Sequence, residues 1–254
     1  MSQAIPLPSH DLRDLAVLLD VDGTILDIAP TPGEVTVPAS LRRTLARLAR
    51  ATGGAVALVS GRPLDDLDAL FAPLRLPAAG GHGAELRASV DGGAEVKRAR
   101  PLDDDIRDRL AGIAESAPGV LVEDKGYALA VHYRLAPEHE PAVKQAVAAI
   151  KADWPREPIE VLPGKAVLEV KPAGFDKGAA VRSLMRHKPF AGRRPIFIGD
   201  DTTDESAFAA LSEFDGVGFS VGREIPGTAY CFARPSEVRR WLARLSAGEG
   251  SRAP

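Results

Sequence analysis

Residues 15–26, LAVLLDVDGTIL, place Asp20 and Asp22 directly after an apolar run and just before a glycine. The run Leu15–Leu19 has no polar side chain, which is typical of a strand buried in a parallel sheet. Ligands of such sheets bind beyond the carboxyl ends of the strands. Taken alone, an Asp-Gly pair is more typical of a turn than of a functional site. The residues farther along the chain decide between these two interpretations.

The length and composition are those of a folded protein with a substantial core. The chain has 254 residues, of which 45% are apolar and 26% charged, enough for one large domain or two modest ones. A net charge of −3 gives no general attraction for nucleic acid or an acidic membrane, and no apolar run reaches the roughly 18 residues of a membrane span. The residues before Leu15 do not resemble a secretion signal. Cys231 is the single cysteine, so no disulfide can form within the chain, which fits a reducing compartment. We therefore expect a cytoplasmic protein with no obligate protein partner.

Strands and helices alternate in the first and last parts of the chain, which predicts a parallel sheet covered by helices. In the first part we predict strands at Leu15–Leu19, in GAVALVSGR and in LPAAGG, and helices at Pro38–Arg50 and, after Pro63, in LDDLDALF. In the last part we predict helices from Lys177, from Asp204 and in PSEVRRWLARL, and strands in PIFIGD and GVGFSV. The arginines of Pro38–Arg50 lie mostly off its leucine stripe, which favours a solvated helix face over a binding patch.

The middle of the chain has a different pattern. A helix in DDDIRDRLAGIAES, two strands around Gly126, a helix in PEHEPAVKQAVAAI and the strands IEVL and AVLEVK predict an antiparallel sheet backed by two helices. We therefore predict an α/β protein in which a Rossmann-like parallel core, residues 1–101 and 172–254, carries an inserted α/β domain, residues 102–171.

Several predicted strand ends of the core carry residues capable of chemistry. They are Asp20 and Asp22, then Ser60, then the neighbourhood of Lys177, then Asp200 and Asp201. The acids of GDDTTDE, residues 199–205, are hard to explain by folding alone, since capping by Asp204 accounts for one of them. Carboxylates gathered at one crevice require a cation, and oxygen ligands favour Mg²⁺.

Four segments, in this order, resemble the motifs of the haloacid dehalogenase superfamily of phosphotransferases: DVDGT, SGR, a KG pair and GDDTTDE. The inserted domain resembles the large cap of its sugar phosphatases. GGHGAE, VEDKGYALAVHYR and LEVKPAGFDKGAAV are similar to segments of the trehalose-6-phosphate phosphatase family, over nearly the whole chain. One departure is Asp176, where Asn or Ser is common, because it adds a negative charge beside Lys177.

The resemblance implies a Mg²⁺-dependent phosphatase of trehalose biosynthesis that works through an aspartyl phosphate. Asp20 would be the nucleophile and Asp22 the general acid and base. Asp20, Asp200 and the backbone carbonyl of Asp22 would hold Mg²⁺, with Asp201 and Asp204 as supporting acids, either of which is equally suited to touch the metal. Ser60 and Lys177 would complete the catalytic set, and the phosphate would be bound by Thr24, Ser60, Gly61 and Lys177.

Sugar binding is implied for Arg62 and His82 and for three residues of the cap, Glu123, Lys125 and Glu169; His132 and Arg134 are weaker candidates. Locally, EDK at 123–125 is more typical of an exposed hairpin tip, and a lone histidine is more often structural. Three alternatives stay open: a phosphatase of another sugar phosphate such as sucrose 6-phosphate, a noncatalytic sugar-phosphate sensor and, least favoured, a glycosyltransferase.

Overall fold

The computed structural model describes residues 11–29, 34–90, 97–154, 158–164 and 166–248. The chain divides into two compact units, of which the first comprises Met1–Lys97 and Phe175–Pro254 and the second Arg98–Gly174. The predicted boundaries of the inserted domain, residues 102 and 171, lie a few residues inside the second unit. We call the first unit the core unit and the second the inserted unit.

The described residues contain the following strands: β1 (Leu15–Leu19), β2 (Val56–Val59), β3 (Ala78–Gly80), β4 (Glu85–Arg87), β5 (Lys97–Arg98), β6 (Leu121–Asp124), β7 (Leu129–His132), β8 (Ile159–Gly164), β9 (Val167–Pro172), β10 (Arg194–Gly199), β11 (Val217–Val221) and β12 (Tyr230–Phe232). The α-helices are α1 (Ala39–Ala51), α2 (Leu64–Phe71), α3 (Asp104–Ser116), α4 (Glu140–Asp153), α5 (Lys177–Met185), α6 (Glu205–Leu211) and α7 (Pro235–Ser246).

The larger sheet has the strand order β12-β11-β10-β1-β2-β3-β4-β5 and is parallel from β12 to β3. Its central strand, β1, is buried on both faces, which explains why its sequence is apolar throughout rather than alternating. Leu15, Val17 and Leu19 pack with α1, α2 and α7, whereas Ala16 and Leu18 pack with α5 and α6. The central strands therefore end together at one edge, beyond which Asp20 and Asp200 follow β1 and β10.

The inserted unit contains a four-stranded antiparallel sheet in the order β6-β7-β9-β8. One face of this sheet packs against α3 and α4 through residues such as Ile106, Val131 and Val147. The predicted fold class is confirmed, since a parallel core sheet and a separate antiparallel sheet are both present.

Some details of the predicted elements are wrong. β4 pairs antiparallel with β3, and neither β4 nor β12 was predicted, because three residues are too few to show a period. The helix predicted from Pro137 starts as a 3-10 turn, and α4 proper starts at Glu140. Arg42 is not a solvated side chain, since its guanidinium donates to the carbonyls of Val37, Leu70 and Phe71. None of the helices in the described ranges has the length and apolar character needed to cross a bilayer.

Candidate active site

Asp20 is the centre of a buried polar network at the carboxyl end of β1. Its backbone N–H donates to the carbonyl of Ile198 at 2.9 Å, which ties it to the neighbouring strand β10. One carboxylate oxygen, Oδ1, accepts from Lys177 Nζ at 2.7 Å, and the other, Oδ2, accepts from Thr24 Oγ1 at 2.8 Å. Lys177 and Thr24 thus each hydrogen-bond a different oxygen of the Asp20 carboxylate.

Lys177, the first residue of α5, bridges two of the carboxylates. Its Nζ also donates to Asp204 Oδ1 at 2.6 Å, and its side chain is only 3% exposed. Burial disfavours the ammonium, but the charges of Asp20 and Asp204 outweigh this cost and raise the pKa of Lys177 above its ordinary value. The ammonium therefore stays charged at neutral pH.

Asp176, the departure from the family pattern, has a local structural role. Its carboxylate is exposed and caps α5 by accepting from the backbone N–H of Ala179 at 2.6 Å. Asn, Ser and Asp are all good N-cap residues, which explains why Asp is tolerated beside Lys177.

Asp200 and Asp204 complete a group of three acids. One carboxylate oxygen from each of Asp20, Asp200 and Asp204 lies within 4.8 Å of the other two. Thr24 Oγ1, which contacts Asp20, also lies 2.9 Å from Asp200 Oδ1. Asp204 is fully buried and its Oδ2 accepts from the backbone N–H groups of Asp200 and Asp201. Asp201 is exposed and outside this group, and its carboxylate accepts from the N–H of Thr202 at 2.6 Å.

Two glycines permit this close packing of acids. Gly23 has φ +81°, and a Cβ at this position would lie 2.1 Å from Asp200 Oδ2. A Cβ at Gly199 would lie 2.4 Å from the carboxyl carbon of Asp204. Any side chain at either position would therefore displace a carboxylate, which is why the glycines of DVDGT and GDDTTDE are required.

The electrostatics of the group fit a divalent cation. Burial, followed by the charge of Asp20, raises the pKa of Asp200 to about 7, and the same two causes raise that of Asp204 to about 6. Three carboxylates with one lysine have an excess of two negative charges, which a divalent cation would balance. Oxygen ligands from Asp20, Asp200 and Asp204 suit Mg²⁺.

Asp22 is not a member of this group and forms an ion pair with Arg62. Arg62 Nε donates to Asp22 Oδ2 at 2.6 Å, and its terminal nitrogen Nη2 donates to Oδ1 at 2.8 Å. This is the bidentate geometry in which a guanidinium fixes the plane of a carboxylate. The group of three acids does not include Asp22.

Ser60 and Gly61 form a turn after β2 that is supported by the segment GGHGAE. Ser60 is buried, and its Oγ accepts from the backbone N–H of Arg62 at 3.2 Å. The ring of His82 packs against Gly61, where a Cβ would lie 2.5 Å from His82 Nε2. His82 itself has φ 54°, an unusual conformation for a residue other than glycine. The predicted sugar contact of His82 stays a prediction.

In the inserted unit, two of the predicted sugar-binding residues lie on the sheet face opposite α3 and α4. Glu123 and Glu169 are both paired in register with Ala130 of β7, so the two carboxylates flank a small side chain in one row. Lys125 Nζ donates to Glu169 Oε2 at 2.6 Å, whereas Glu169 Oε1 is buried without a hydrogen-bond partner among the described residues. A ligand hydroxyl is the natural donor for such an oxygen.

The weaker candidates differ in what they contact. His132 Nε2 lies 2.9 Å from Glu123 Oε2, which places this histidine in the same row of polar residues. Arg134 is exposed and lies after the end of β7. The role of both in sugar binding stays a prediction.

Three features of the site were not anticipated. Asp204, placed among the supporting acids, is the most buried of the three clustered acids. Glu85 is buried and accepts from the N–H of Leu64 at 2.6 Å, which caps the start of α2. Arg62 pairs with Asp22 across forty residues of chain, a contact that no local sequence pattern indicates.

Most of the chain is similar in sequence to known proteins. The family described as trehalose-phosphatase matches residues 18–236. A probable trehalose-phosphate phosphatase of Sinorhizobium fredii is 42% identical over 233 residues, which cover 90% of this chain and 85% of that protein. The trehalose-6-phosphate phosphatase of Escherichia coli is 39% identical over 232 residues, which cover 91% and 86%.

The fold has a counterpart among solved structures. The C-terminal domain of trehalose-6-phosphate phosphatase from C. albicans has a TM-score of 0.75 at 22% identity, covering 93% of this chain and 92% of that one. The family match and the two relatives extend over most of the chain. The chain therefore belongs to the trehalose-phosphatase family, whose members are phosphoric monoester hydrolases.

Proposed function

We propose that this protein hydrolyses trehalose 6-phosphate to trehalose and phosphate, and that it requires Mg²⁺. The observation that carries the proposal is the buried network in which Lys177 bridges Asp20 and Asp204 while Thr24 bridges Asp20 and Asp200. Chain packing alone does not favour two buried acids on one buried lysine with a third, partly buried acid beside them, because their desolvation is costly. A phosphoryl-transfer site needs such an arrangement.

Asp20 is the nucleophile in this proposal. One of its carboxylate oxygens forms a bond to phosphorus while the bond from phosphorus to the sugar oxygen breaks, which gives an aspartyl phosphate. Asp22 must be protonated for this step, and it gives that proton to the departing sugar oxygen. A water then attacks phosphorus, Asp22 takes a proton from that water, and the Asp20 carboxylate is released together with inorganic phosphate.

The other residues of the site bind and orient. Lys177 stays charged and stabilises negative charge on Asp20 and on the transferred group, while Ser60, Gly61 and Thr24 provide hydrogen-bond donors for phosphoryl oxygens. Asp20, Asp200 and the Asp22 backbone carbonyl would hold Mg²⁺, with Asp204 as a supporting acid. When bound, the cation supplies positive charge at the transferred phosphoryl group.

Specificity for the sugar is assigned to the inserted unit. Glu123, Lys125 and Glu169 offer acceptors and a donor to the hydroxyls of a disaccharide, and Glu169 Oε1 has no other hydrogen-bond partner among the described residues. The substrate is a small molecule, so no protein or nucleic-acid partner is needed. A cytoplasmic location, suggested by the lone Cys231, belongs to the same proposal.

Phosphate release from a panel of sugar phosphates, with and without Mg²⁺, tests the proposal. We expect turnover of trehalose 6-phosphate that depends on Mg²⁺ and exceeds turnover of sucrose 6-phosphate and glucose 6-phosphate. Turnover of another member of the panel, with none of trehalose 6-phosphate, would replace the substrate. Binding of trehalose 6-phosphate without any Mg²⁺-dependent turnover would identify a sensor instead.

A further inference from the structure

The contact between Arg62 and Asp22 has a geometry that binding of substrate alone does not explain. Two nitrogens of the guanidinium, at 2.6 and 2.8 Å, engage both carboxylate oxygens of Asp22. The side chain of Arg62 is 15% exposed and that of Asp22 35% exposed, so the pair is partly shielded from water. An ion pair of this kind is stronger than one at the open surface.

The backbone of Arg62 is held in place from a different part of the core unit. Its carbonyl accepts from the N–H of Gly81 at 2.9 Å, and its N–H donates to Ser60 Oγ. A Cβ at Gly80 would lie 2.9 Å from the Arg62 carbonyl oxygen. The backbone at Gly80 therefore approaches the backbone at Arg62 too closely for any side chain to fit between them. The N–H of Leu64, two residues after Arg62, donates to the Glu85 carboxylate. The guanidinium therefore extends from a fixed base.

Asp22 needs such support because of where it lies in the chain. It is two residues from Asp20, whose carboxylate belongs to the group of three acids that fits a divalent cation. A cation held by that group would attract the Asp22 carboxylate, and a carboxylate bound to the cation would no longer reach a departing sugar oxygen. Arginine keeps its charge at all physiological pH values, so it can compete with that attraction throughout.

We propose that Arg62 is a positioning residue, which holds the Asp22 carboxyl away from the metal-binding acids and in the orientation needed for proton transfer. This inference rests on the proposed phosphatase function for its kinetic consequences. Its structural consequence, the separation of the Asp22 carboxyl from the carboxylates of Asp20, Asp200 and Asp204, does not require turnover.

The kinetic consequence depends on the leaving group. An alkoxide leaves poorly and requires a proton, whereas a nitrophenolate leaves readily without one. Replacement of Arg62 by Met should therefore lower kcat for trehalose 6-phosphate by roughly 10²-fold but that for p-nitrophenyl phosphate by only a few-fold. Arg62→Lys, which keeps the charge but loses the bidentate contact, should fall between Arg62→Met and the unchanged protein.

A double-mutant cycle with Asp22→Asn separates positioning from substrate binding. If Arg62 acts through Asp22, Arg62→Met should cause almost no additional loss of kcat in the Asp22→Asn background. A matched control is Arg75→Met, which removes an exposed arginine paired with Asp68 at 3.1 Å in the same unit. We expect the control to change kcat for neither substrate.

Calorimetric titration with Mg²⁺ gives a readout that is independent of activity. In Arg62→Met the freed Asp22 carboxylate can join the cation, so the Mg²⁺ dissociation constant should fall by about tenfold, equivalent to 1.4 kcal/mol. The same substitution in the Asp22→Asn background should leave the dissociation constant unchanged. A general electrostatic effect of removing the arginine charge would persist in that background.

The possible results are distinct. Equal losses on both phosphate esters that persist in the Asp22→Asn background would make Arg62 a substrate-binding residue and overturn the inference. A Mg²⁺ affinity unaffected by Arg62→Met, or affected equally in both backgrounds, would also overturn it. An unsubstituted protein that hydrolyses no sugar phosphate would defeat the proposed function alone, since the Mg²⁺ cycle would still show whether Arg62 separates Asp22 from the cation.

Discussion

The acids of the core unit and those of the inserted unit are organised in opposite ways. In the core unit Asp20, Asp204 and Lys177 are almost completely buried and linked by contacts of 2.6 to 2.7 Å. In the inserted unit the polar residues form separate pairs, and the pair of Glu123 with His132 is half open to water. The residues of the core unit form a single connected network, whereas those of the inserted unit form a row of independent contacts.

This difference indicates a division of labour. A buried network cannot lose one member without leaving the others uncompensated, so each residue in it is nearly irreplaceable. Partly exposed pairs are individually worth little, because water can replace either partner. Chemistry that needs fixed charges suits the first arrangement, and recognition of sugar hydroxyls suits the second. The following experiments test where that division holds.

The largest effect is expected at Asp20. Asp20→Asn keeps the size of the side chain but removes the proposed nucleophile, so turnover of trehalose 6-phosphate and of p-nitrophenyl phosphate should fall by roughly 10⁴-fold or more. Circular dichroism should show a folded protein, since an amide fits the same space. Near-normal turnover would exclude a covalent route through Asp20.

The next effect is expected at Lys177. Lys177→Met leaves two buried carboxylates without their ammonium, which should reduce kcat by about 10²- to 10³-fold and the free energy of unfolding by about 3 kcal/mol. Urea denaturation measures the stability, and added Mg²⁺ should restore part of it. If the variant is as stable as the unsubstituted protein in metal-free buffer, the network does not depend on this charge.

Glu169 should show a smaller and selective effect. Glu169→Ala should reduce kcat/KM for trehalose 6-phosphate by about 10²-fold, because the buried acceptor proposed for a sugar hydroxyl is lost. The kcat/KM for p-nitrophenyl phosphate should fall by a few-fold at most. Glu115→Ala, an exposed position on α3 of the same unit, is the matched control. Equal losses on the two esters would remove Glu169 from sugar recognition.

The smallest effect concerns pH and stability. The pKa values of Asp200 and Asp204, about 7 and 6, exceed the value of about 3.9 for an unfolded aspartate, so the folded protein binds these protons more tightly. Their contribution to stability is therefore complete below about pH 4 and is lost as pH rises through 6 and 7. In metal-free buffer we expect Tm to fall between pH 5.5 and 8 by about 2–4 °C, corresponding to about 1 kcal/mol after allowing for solvent screening.

The control for this experiment is Asp200→Asn, whose Tm should decrease less over the same pH range. Mg²⁺ should also reduce the decrease in the unsubstituted protein, because the cation stabilises the ionised carboxylates. A Tm that is constant or rises with pH in metal-free buffer, with the same profile in Asp200→Asn, would contradict the assigned electrostatics.

The sequence predicts that the acids after β1 and β10 lie close together, because they directly follow two apolar strands. Leu15–Leu19 and PIFI are apolar on both faces, and the acids that follow them must meet at one edge of a parallel sheet. The short strand β4 and its pairing with β3 leave no such pattern. Nor does a sequence pattern indicate that Arg62 contacts Asp22, since that contact depends on how two loops approach each other.

Two acids of GDDTTDE that lie three residues apart mark the limit of prediction from the sequence. Asp201 and Asp204 have the same side chain, and the sequence assigned them equal roles. The tight turn that follows β10 points Asp204 inward, onto Lys177, and leaves Asp201 outside as a cap. Only the backbone conformation distinguishes them.

The central claim is that Asp20 accepts the phosphoryl group, and trapping of that group tests it most directly. The protein is mixed with trehalose 6-phosphate and Mg²⁺, quenched in acid within milliseconds and digested for peptide mass spectrometry. We predict one added phosphoryl group on the peptide containing Asp20, formed at least as fast as steady-state turnover and absent in Asp20→Asn. Rapid turnover with no phosphorylated peptide, or with the group on another residue, would contradict the account.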